Sequence, residues 1–344
     1  MRLIKPKKLK KGDAIGLISP SAPLAGLVPH RTKKAVKMLE ELGFKVKVGK
    51  NALKITGYTA GSPKERAEDI NSFFRDKEVK AIICFIGGNH SSQILKYLNF
   101  QLIKRNPKIF VGYSDATVLH FAFYTQCSLV TFYGPSALAQ FAENPKIFSY
   151  TKEYFKKALE ETKPIGKIKP SSYWTDEIPD WFKKEDLKRP RKMEKNKGWQ
   201  WLRKGKAEGP ILGGCITSMV HLRGTKYWPD FSGSIFFWEI PESDNDFTKG
   251  ERIENIDSYL TDIELSGIFK KIKGMIVGRF FGYSKQEEKE IIKIIKARTA
   301  EYKFPILIGV DIGHTDPMIT VPLGVKVKID SSKNLFKIVE TGVI

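Results

Sequence analysis

The sequence predicts an α/β protein in which a parallel sheet covered by helices precedes a smaller, strand-rich domain. Three observations support this fold class. Short apolar runs alternate with amphipathic helical segments through the first 135 residues. Residues 150–206 break the alternation, because they are rich in Lys, Pro and Trp. The rest of the chain ends in several strand-like runs. Strands separated by single helices are typical of a parallel sheet that is buried on both faces.

The elements of the first half follow from their local patterns. Apolar residues repeat every three or four positions over 30–42, which indicates a helix that Gly43 ends. Ser62, Pro63 and Glu65 form a capping box with proline at the first helical position, so a second helix begins there. The predicted strands cover 14–20, 44–48, 81–88, 108–114 and 129–134, and further helices cover 91–98 and 115–126.

The break in this alternation predicts how the chain is divided. We expect an α/β domain over 1–160, a connecting region over 161–205 and a C-terminal β-rich domain over 206–344. The last domain is predicted to be α+β or barrel-like, since it mixes strand-like runs with two helical patterns. Those helices lie near 251–265 and 284–299, and the final strand-like runs are 305–313, 319–330 and 334–340.

The composition narrows the possible functions. The chain has 344 residues, 41% hydrophobic and 28% charged, which fits two globular domains. The formal net charge of +21 suggests nucleic acid. However, the lysines are mixed with glutamates, as in KQEEKEIIKIIKAR, and we interpret them as a solvated surface with no nucleic-acid partner. A denser basic run at 182–206 suits either an anionic ligand or an exposed connection.

The location and the absence of a cofactor are also predicted. No apolar run reaches the roughly 18 residues of a membrane span, and the basic N-terminus lacks the long apolar region of a signal peptide. Cys84, Cys127 and Cys215 are far apart and form neither a metal spacing nor a disulfide framework. We therefore expect a cytoplasmic protein with reduced thiols, no membrane association and no metal or cofactor.

A serine at the end of a buried strand is the first candidate for catalysis. The stretch PKIFVGYSDATVLHF places Ser114 between a strand and a helix. Ligands of parallel α/β sheets gather at this edge. The corner resembles a nucleophile elbow, although Ala116 stands where the second Gly of G-x-S-x-G would be. Ser114 or Asp115 acting as a helix N-cap explains the pattern equally well.

A serine nucleophile needs a base, and the base needs an acid that orients it. Among five histidines, His314 is the best placed, because it follows an apolar strand and a glycine. Glu239 ends the apolar strand GSIFFWE, and Asp311 lies three residues before His314. The residue patterns favour Ser114 with His314 and leave the acid open among Glu239, Asp311 and Asp115.

Seven ordered motifs give a resemblance that covers nearly the whole chain. The sequence resembles the LD-carboxypeptidase family of serine peptidases, and three stretches are closer to its microcin C immunity branch than to the murein-recycling enzymes. Those three are GYSDAT, TFYGPS and GWQWLRKGKAEG. The seven motifs are LKKGDAIGLISPSAP, GYTAGSPKERAEDINSFFRDKEVKAIICFIGG, PKIFVGYSDATVLH, TFYGPSA, GPILGGCITSMVHLRGT, SGSIFFWEIPE and GHTDPMITVPLGVKVKID.

The resemblance implies a Ser-Glu-His triad divided between two domains. Ser114 falls on the family's nucleophile, Glu239 on its acid and His314 on its base. It also implies a flavodoxin-like first domain, a small β-rich second domain and a cytoplasmic homodimer without metal. With this triad, the backbone N–H groups of Gly88 and Asp115 are expected to form the oxyanion hole.

Four residues are expected to contact the substrate. Gly87 and Asn89 flank the predicted oxyanion donor, and Trp181 would stack on a nucleotide moiety, although packing of its loop explains this tryptophan as well. Cys215 stands where relatives usually carry Asn, which puts the family's specificity in doubt here. Ile240 similarly replaces an Asp that many relatives carry after the catalytic Glu.

The resemblance implies a metal-independent serine carboxypeptidase that hydrolyses an amide at the C-terminal end of a peptide-like substrate through an acyl-enzyme. The expected substrate is a peptidyl-nucleotide of the microcin C type, cleaved in self-immunity or detoxification. The alternative is a murein tetrapeptide that loses D-Ala in cell-wall recycling. A hypothesis from another functional class is a non-catalytic protein that binds an anionic ligand or nucleic acid.

Overall fold

A computed structural model describes residues 2–243 and 246–344, which form two main sheets. The first sheet has six strands in the order β2-β1-β3-β4-β5-β16. Strands β1 to β5 are all parallel, and their 2-1-3-4-5 order is that of flavodoxin-like folds. The strands are β1 (Ala14–Ile18), β2 (Lys45–Val48), β3 (Val79–Cys84), β4 (Ile109–Gly112), β5 (Phe132–Tyr133) and β16 (Val321–Pro322).

Helices cover both faces of this sheet, as the alternating pattern predicts. Ile15 and Leu17 of β1 are buried in one core, whereas Ile18 of the same strand is buried in the other. The capping box at Ser62 is present, with Glu65 N–H donating to its hydroxyl. The helices are α1 (Leu24–Leu27), α2 (Pro29–Glu41), α3 (Pro63–Arg75), α4 (Phe100–Arg105), α5 (Thr117–Cys127) and α6 (Ser149–Leu159).

The second sheet has eight strands in the order β6-β18-β17-β10-β11-β14-β15-β9. Its centre is parallel, from β10 to β15, and its flanks are antiparallel. It is an open sheet rather than a barrel. The strands are β6 (Gly166–Lys167), β9 (Gln200–Arg203), β10 (Lys206–Cys215), β11 (Ile235–Glu239), β14 (Gly274–Gly278), β15 (Ile306–Val310), β17 (Lys326–Asp330) and β18 (Leu335–Ile338).

The remaining elements are short or lie beside the second sheet. Two small antiparallel pairs complete the strands: β7 (Tyr173–Trp174) with β8 (Glu194–Lys195), and β12 (Glu242–Ser243) with β13 (Asp246–Gly250). Four helices accompany the second sheet: α7 (Ile216–Val220), α8 (Ile253–Leu265), α9 (Ile268–Lys271) and α10 (Lys285–Arg298).

The chain crosses between the sheets more often than a simple division predicts. The predicted connecting region supplies both edge strands of the second sheet, β6 and β9. Conversely, β16 near the C-terminus pairs antiparallel with β5 in the first sheet, where Val321 faces Tyr133. The division at 160 and 206 stays a prediction. Within the described residues, no helix is long and apolar enough to cross a membrane.

Candidate active site

Ser114 occupies a strained corner directly after β4. Its φ angle is 60°, in the left-handed region that residues other than glycine rarely adopt. Such strain is typical of functional sites and of nucleophile elbows. The N-cap positions of the two helical segments that follow are Tyr113 and Ala116, and neither makes a side-chain capping bond. The geometry therefore does not support the alternative in which Ser114 serves as an N-cap.

The loop after β3 lies against this serine. A methyl group added to Gly87 would sit 2.8 Å from Ser114 Oγ and 3.2 Å from the backbone N of Asp115. Only a residue without a side chain fits there. The neighbouring Gly88 has a φ of +132°, and a methyl group there would sit 2.6 Å from Ser21 Oγ. The loop thus brings its backbone to the serine as the predicted oxyanion hole requires.

The carboxylate of Asp115 anchors that loop. It accepts hydrogen bonds from the backbone N–H groups of His90 and Ser91, at 2.9 and 2.8 Å. Burial raises the pKa of Asp115, and the hydrogen bonds with Ser21, Ser91 and His90 oppose this increase. Because the Asp115 carboxylate is hydrogen-bonded to the loop and contacts no described histidine side chain through these bonds, Asp115 is not the acid that orients a histidine.

His314 and Glu239 meet at the ends of two strands of the second sheet. Nδ1 of His314 lies 2.6 Å from Oε2 of Glu239, and Glu239 is fully buried at the end of β11. Gly313 allows this approach, because a methyl group there would sit 2.4 Å from Glu239 Oε2. Asp311 instead accepts from Ser171 Oγ at 2.6 Å and Arg279 Nη2 at 2.7 Å. Of the three candidate acids, only Glu239 contacts the imidazole.

Tyr133 joins the two parts of the site, and the sequence analysis did not single it out. Its hydroxyl accepts a hydrogen bond from the backbone N–H of Ser114 at 3.1 Å and donates to Oε1 of Glu239. Thr117 makes a second bridge, donating to the Ser114 carbonyl at 2.7 Å and accepting from Cys215 N at 3.0 Å. The motif TFYGPS contains the tyrosine and was the available signal.

The imidazole is surrounded by carboxylates. Its Nε2 lies 3.4 Å from Oε2 of Glu242, without hydrogen-bond geometry. Burial lowers the pKa of His314, but the negative charges of Glu239, Glu242 and Asp316 outweigh it and raise the pKa to about 9. Nε2 is buried and makes no hydrogen bond with any described residue, Ser114 included.

Ser114 and His314 line the same cavity of about 590 Å³. Other predicted contacts in its wall are Gly87, Gly88 and Trp181, whereas Asn89 and Cys215 lie outside the set of lining residues. Seven carboxylates and three arginines contribute to the described wall, so it is negatively charged in a strongly basic protein. They are Glu143, Glu177, Asp180, Asp186, Glu242, Asp246 and Asp316, with Arg31, Arg189 and Arg191.

Each arginine of the wall is already paired. Arg191 lies 2.7 Å from Asp316, and burial lowers its pKa less than Asp316 and Glu143 raise it. Arg31 lies 2.7 Å from Asp186 and stacks on Trp181, its Cζ 4.1 Å from the ring centroid.

Cys215 lies next to the pair formed by Glu239 and His314. It faces Glu239 on the neighbouring strand β11, and burial raises the pKa of its thiol well above the ordinary value. Ligand atoms of Cys215, Glu239 and His314 lie within 4.8 Å of one another, so this group has the donor types that a metal ion takes. His314 Nδ1 and Glu239 Oε2 are, however, already engaged with each other.

Two family models and several curated relatives match this chain. The family model described as the LD-carboxypeptidase N-terminal domain matches residues 15–134, and the model of the C-terminal domain matches 208–329. A putative carboxypeptidase of Vibrio cholerae is 35% identical over 96% of each chain. The microcin C7 self-immunity protein MccF of Escherichia coli is 33% identical over 95% of this chain and 93% of its own.

One further relative and one solved structure extend the comparison. A probable murein peptide carboxypeptidase of Bacillus subtilis is 31% identical over 98% of this chain and 95% of its own. The structure of MccF in complex with aspartyl sulfamoyl adenosine matches with a TM-score of 0.91 and 31% identity, covering 99% of this chain and 100% of that one. With both family models matched in order around the site, the chain belongs to the LD-carboxypeptidase family of serine carboxypeptidases.

Proposed function

We propose that this protein is a metal-independent carboxypeptidase whose triad is Ser114, His314 and Glu239. The observation that carries the proposal is the 2.6 Å hydrogen bond between His314 Nδ1 and Glu239 Oε2, in a cavity that Ser114 also lines. This bond holds the imidazole in the tautomer that leaves Nε2 able to accept a proton. Ser114 stands on a strained corner, as nucleophiles of α/β enzymes do.

The reaction follows from these positions. Nε2 of neutral His314 takes the proton from Ser114 Oγ as that oxygen attacks the amide carbonyl. Glu239 stabilises the imidazolium that results, and Tyr133 holds Glu239 in place. The imidazolium then protonates the leaving nitrogen, and water releases the acyl group by the same route in reverse. Oγ and Nε2 must come within hydrogen-bond distance, an approach that many hydrolases complete only when substrate binds.

The oxyanion would be stabilised by the backbone N–H groups of Gly88 and Asp115. Support comes from Gly87, whose closeness to both Ser114 Oγ and Asp115 N brings the two loops together. Preorganised donors of this kind contribute typically about 3 kcal/mol each to the barrier. The Asp115 carboxylate keeps the loop in position through His90 and Ser91.

The preferred substrate is a peptidyl- or aminoacyl-nucleotide. MccF, which this chain matches over nearly its full length, has been solved with aspartyl sulfamoyl adenosine. Trp181 lies in the cavity wall with Arg31 against its ring, so its orientation is fixed for stacking on a base. Phe182 and Phe247, both largely exposed, add apolar surface to the same wall. Self-immunity or detoxification would be the role of such an activity.

Hydrolysis of a murein tetrapeptide is the second candidate. The specific observation in its favour is the 31% identity to a probable murein peptide carboxypeptidase over almost the whole chain. A non-catalytic binder of anions or nucleic acid is disfavoured, because carboxylates outnumber arginines in the cavity wall. Homodimerisation and cytoplasmic location stay predictions from the family resemblance.

Turnover of defined substrates tests the function. Purified protein would be offered aspartyl sulfamoyl adenosine, lysyl sulfamoyl adenosine and a murein tetrapeptide, with and without EDTA, and products followed by mass spectrometry. We expect cleavage of the acyl–nitrogen bond that EDTA does not affect. Ser114→Ala should abolish it while binding persists. Ser19→Ala is the control, because Ser19 also follows a buried strand but its hydroxyl donates to the Ala52 carbonyl. Equal turnover by the Ser114→Ala protein would refute the triad.

A further inference from the structure

We infer that Glu242 is a specificity-determining residue that binds an ammonium group on the acyl part of the substrate, next to the scissile carbonyl. This inference rests on the proposed function and concerns which substrates the same site accepts. Glu242 begins the short strand β12, just after the strand that ends with Glu239. The sequence analysis gave it no role.

The position of one oxygen carries the inference. Oε2 of Glu242 is buried and has no hydrogen-bond partner among the described residues, although the side chain as a whole is 29% exposed. Its nearest positive group is His314, with Nε2 at 3.4 Å. A buried carboxylate oxygen without a donor is costly, so the site favours a ligand that supplies one.

Catalysis removes the only charged partner that the described residues give Glu242. As the general base, His314 must be neutral before Ser114 attacks. Glu242 then faces the cavity with its charge uncompensated, because Arg31, Arg189 and Arg191 are each paired with other carboxylates. A substrate ammonium would compensate the negative charge of Glu242, whereas a substrate carboxylate at the same place would be repelled by it.

The distance to His314 locates the ammonium along the substrate. Nε2 must reach both Ser114 Oγ and the leaving nitrogen, so it lies beside the scissile bond. Oε2 of Glu242 is 3.4 Å from Nε2 of His314 and therefore also lies beside the scissile bond. We assign its contact to the residue that supplies the carbonyl. Two sources share the required chemistry: the free α-amine of an aminoacyl group and a side-chain amine, such as that of lysine.

Affinity measurements with matched acyl groups test the inference separately from catalysis. The Ser114→Ala protein would be titrated calorimetrically with sulfamoyl adenosines that carry lysyl, norleucyl, glutamyl or N-acetyl-lysyl groups. We expect the lysyl compound to bind roughly 10- to 100-fold more tightly than the norleucyl compound, which lacks only the side-chain charge. If the α-amine is the recognised group, the N-acetyl compound should show the loss instead.

A second variant assigns the preference to Glu242. In the Ser114→Ala, Glu242→Gln protein the preferred ammonium should lose its advantage. Glu251→Gln in the same background is the control, because Glu251 lies outside the cavity wall and its Oε1 already accepts from Arg252 N at 2.8 Å and Asn255 Nδ2 at 2.9 Å; it should keep the preference. Equal affinity for all four compounds, tighter binding of the glutamyl compound, or a preference that survives Glu242→Gln would overturn the inference. A failure of the proposed function would give a different result: the protein with Ser114 intact would cleave none of the substrates.

Discussion

The hydroxyl of Tyr133 donates a hydrogen bond to the buried carboxylate of Glu239, although the two residues belong to different sheets. The same hydroxyl accepts from the backbone N–H of Ser114 at 3.1 Å. One tyrosine therefore positions both the backbone of Ser114 and the carboxylate of Glu239. Burial and the charge of Glu239 raise the pKa of Tyr133 well above the usual value for a phenol, so the hydroxyl keeps its proton and remains a donor.

Replacing this tyrosine should impair catalysis more than folding. Tyr133→Phe leaves a buried oxygen of Glu239 without its donor, a loss of about 1–3 kcal/mol, and frees the Ser114 backbone. We expect kcat to fall roughly tenfold or more while the protein stays folded by circular dichroism. Tyr154→Phe is a matched control, because Tyr154 is also buried and accepts one backbone N–H, from Lys169, away from the cavity. Comparable losses in both variants would contradict a special role for Tyr133.

The pH dependence of activity should reflect the raised pKa of His314, about 9 in the free protein. The base works only when neutral, so kcat/KM should increase as the pH rises toward this value. Glu242→Gln removes one of the charges that raise the pKa and should move the midpoint to lower pH. Steady-state kinetics between pH 6 and 10 would show it. A midpoint near the ordinary histidine value in the unaltered protein would count against the contacts described.

Stability should change with pH in the opposite direction. Because the folded-state pKa of His314 lies above the ordinary value of 6.5, protonation of this residue favours the folded protein. That contribution is complete below pH 6.5 and is lost as the pH rises through about 9. Thermal unfolding of the unaltered protein and of His314→Gln, compared over this range, should show the decline only in the former. Parallel curves would contradict the expectation.

Gly87→Ala should separate the two loops that carry the proposed oxyanion-hole donors. The added methyl group would lie 2.7 Å from Ser114 Cβ and 2.8 Å from Oγ, so one of the loops must move. Displacement by about 1 Å typically costs roughly 100-fold in rate. Gly57→Ala controls for general destabilisation, because a methyl group at this exposed glycine meets nothing within 4 Å and strains only its own backbone, whose φ is +60°. Normal kcat in Gly87→Ala would show that the loop is not part of the catalytic geometry.

Asp115→Asn should lower kcat with little change in KM. The backbone N–H groups of His90 and Ser91 both donate to Oδ2 of Asp115, and the neutral amide oxygen of asparagine is a weaker acceptor than a carboxylate, so the loop that carries Gly88 should loosen. A loss of about 100-fold is expected if the oxyanion donor moves away. Asp69→Asn is the control, since Asp69 is equally buried and binds Asn51 outside the site. An increase in KM alone would argue for a substrate contact instead.

Trp181→Ala should weaken nucleotidyl substrates selectively. Loss of stacking on a base costs about 1–3 kcal/mol, so KM should rise roughly 5- to 100-fold for an aminoacyl-nucleotide but little for a murein tetrapeptide. Trp199→Ala provides a comparison, because Trp199 packs near Phe336 and is not in the cavity wall. Equal effects on both substrates would point to a structural role for Trp181.

Local patterns in the sequence predicted much of the fold, because periodicity and capping act over a few residues. The strand–helix alternation and the capping box at Ser62 are present, and the fold class and family are confirmed. The two-residue strand β6 was not predicted, since so short a segment has no periodicity and its partner is distant in sequence. The run 319–330 was predicted as one strand-like segment, whereas the structure divides it into β16 in the first sheet and β17 in the second.

The site was predicted unevenly for the same reason. Ser114, Glu239 and His314 each follow a recognisable strand, and the structure places the last two in contact. Residue patterns alone left the acid open, because the partner of His314 is 75 positions away. The motif TFYGPS contains Tyr133 but does not indicate its contact with Glu239, which arises only when the two sheets pack together. Glu242 has no local signature.

The pairing of β16 with β5 has a consequence for how substrate enters. Val321, seven residues after His314, pairs with Tyr133 in the first sheet. The C-terminal part of the chain is thus hydrogen-bonded to the first sheet close to the candidate site. A hinge motion that separated the two sheets would have to break the hydrogen bonds between β16 and β5. We therefore expect substrate to enter through the mouth of the cavity without separation of the two sheets.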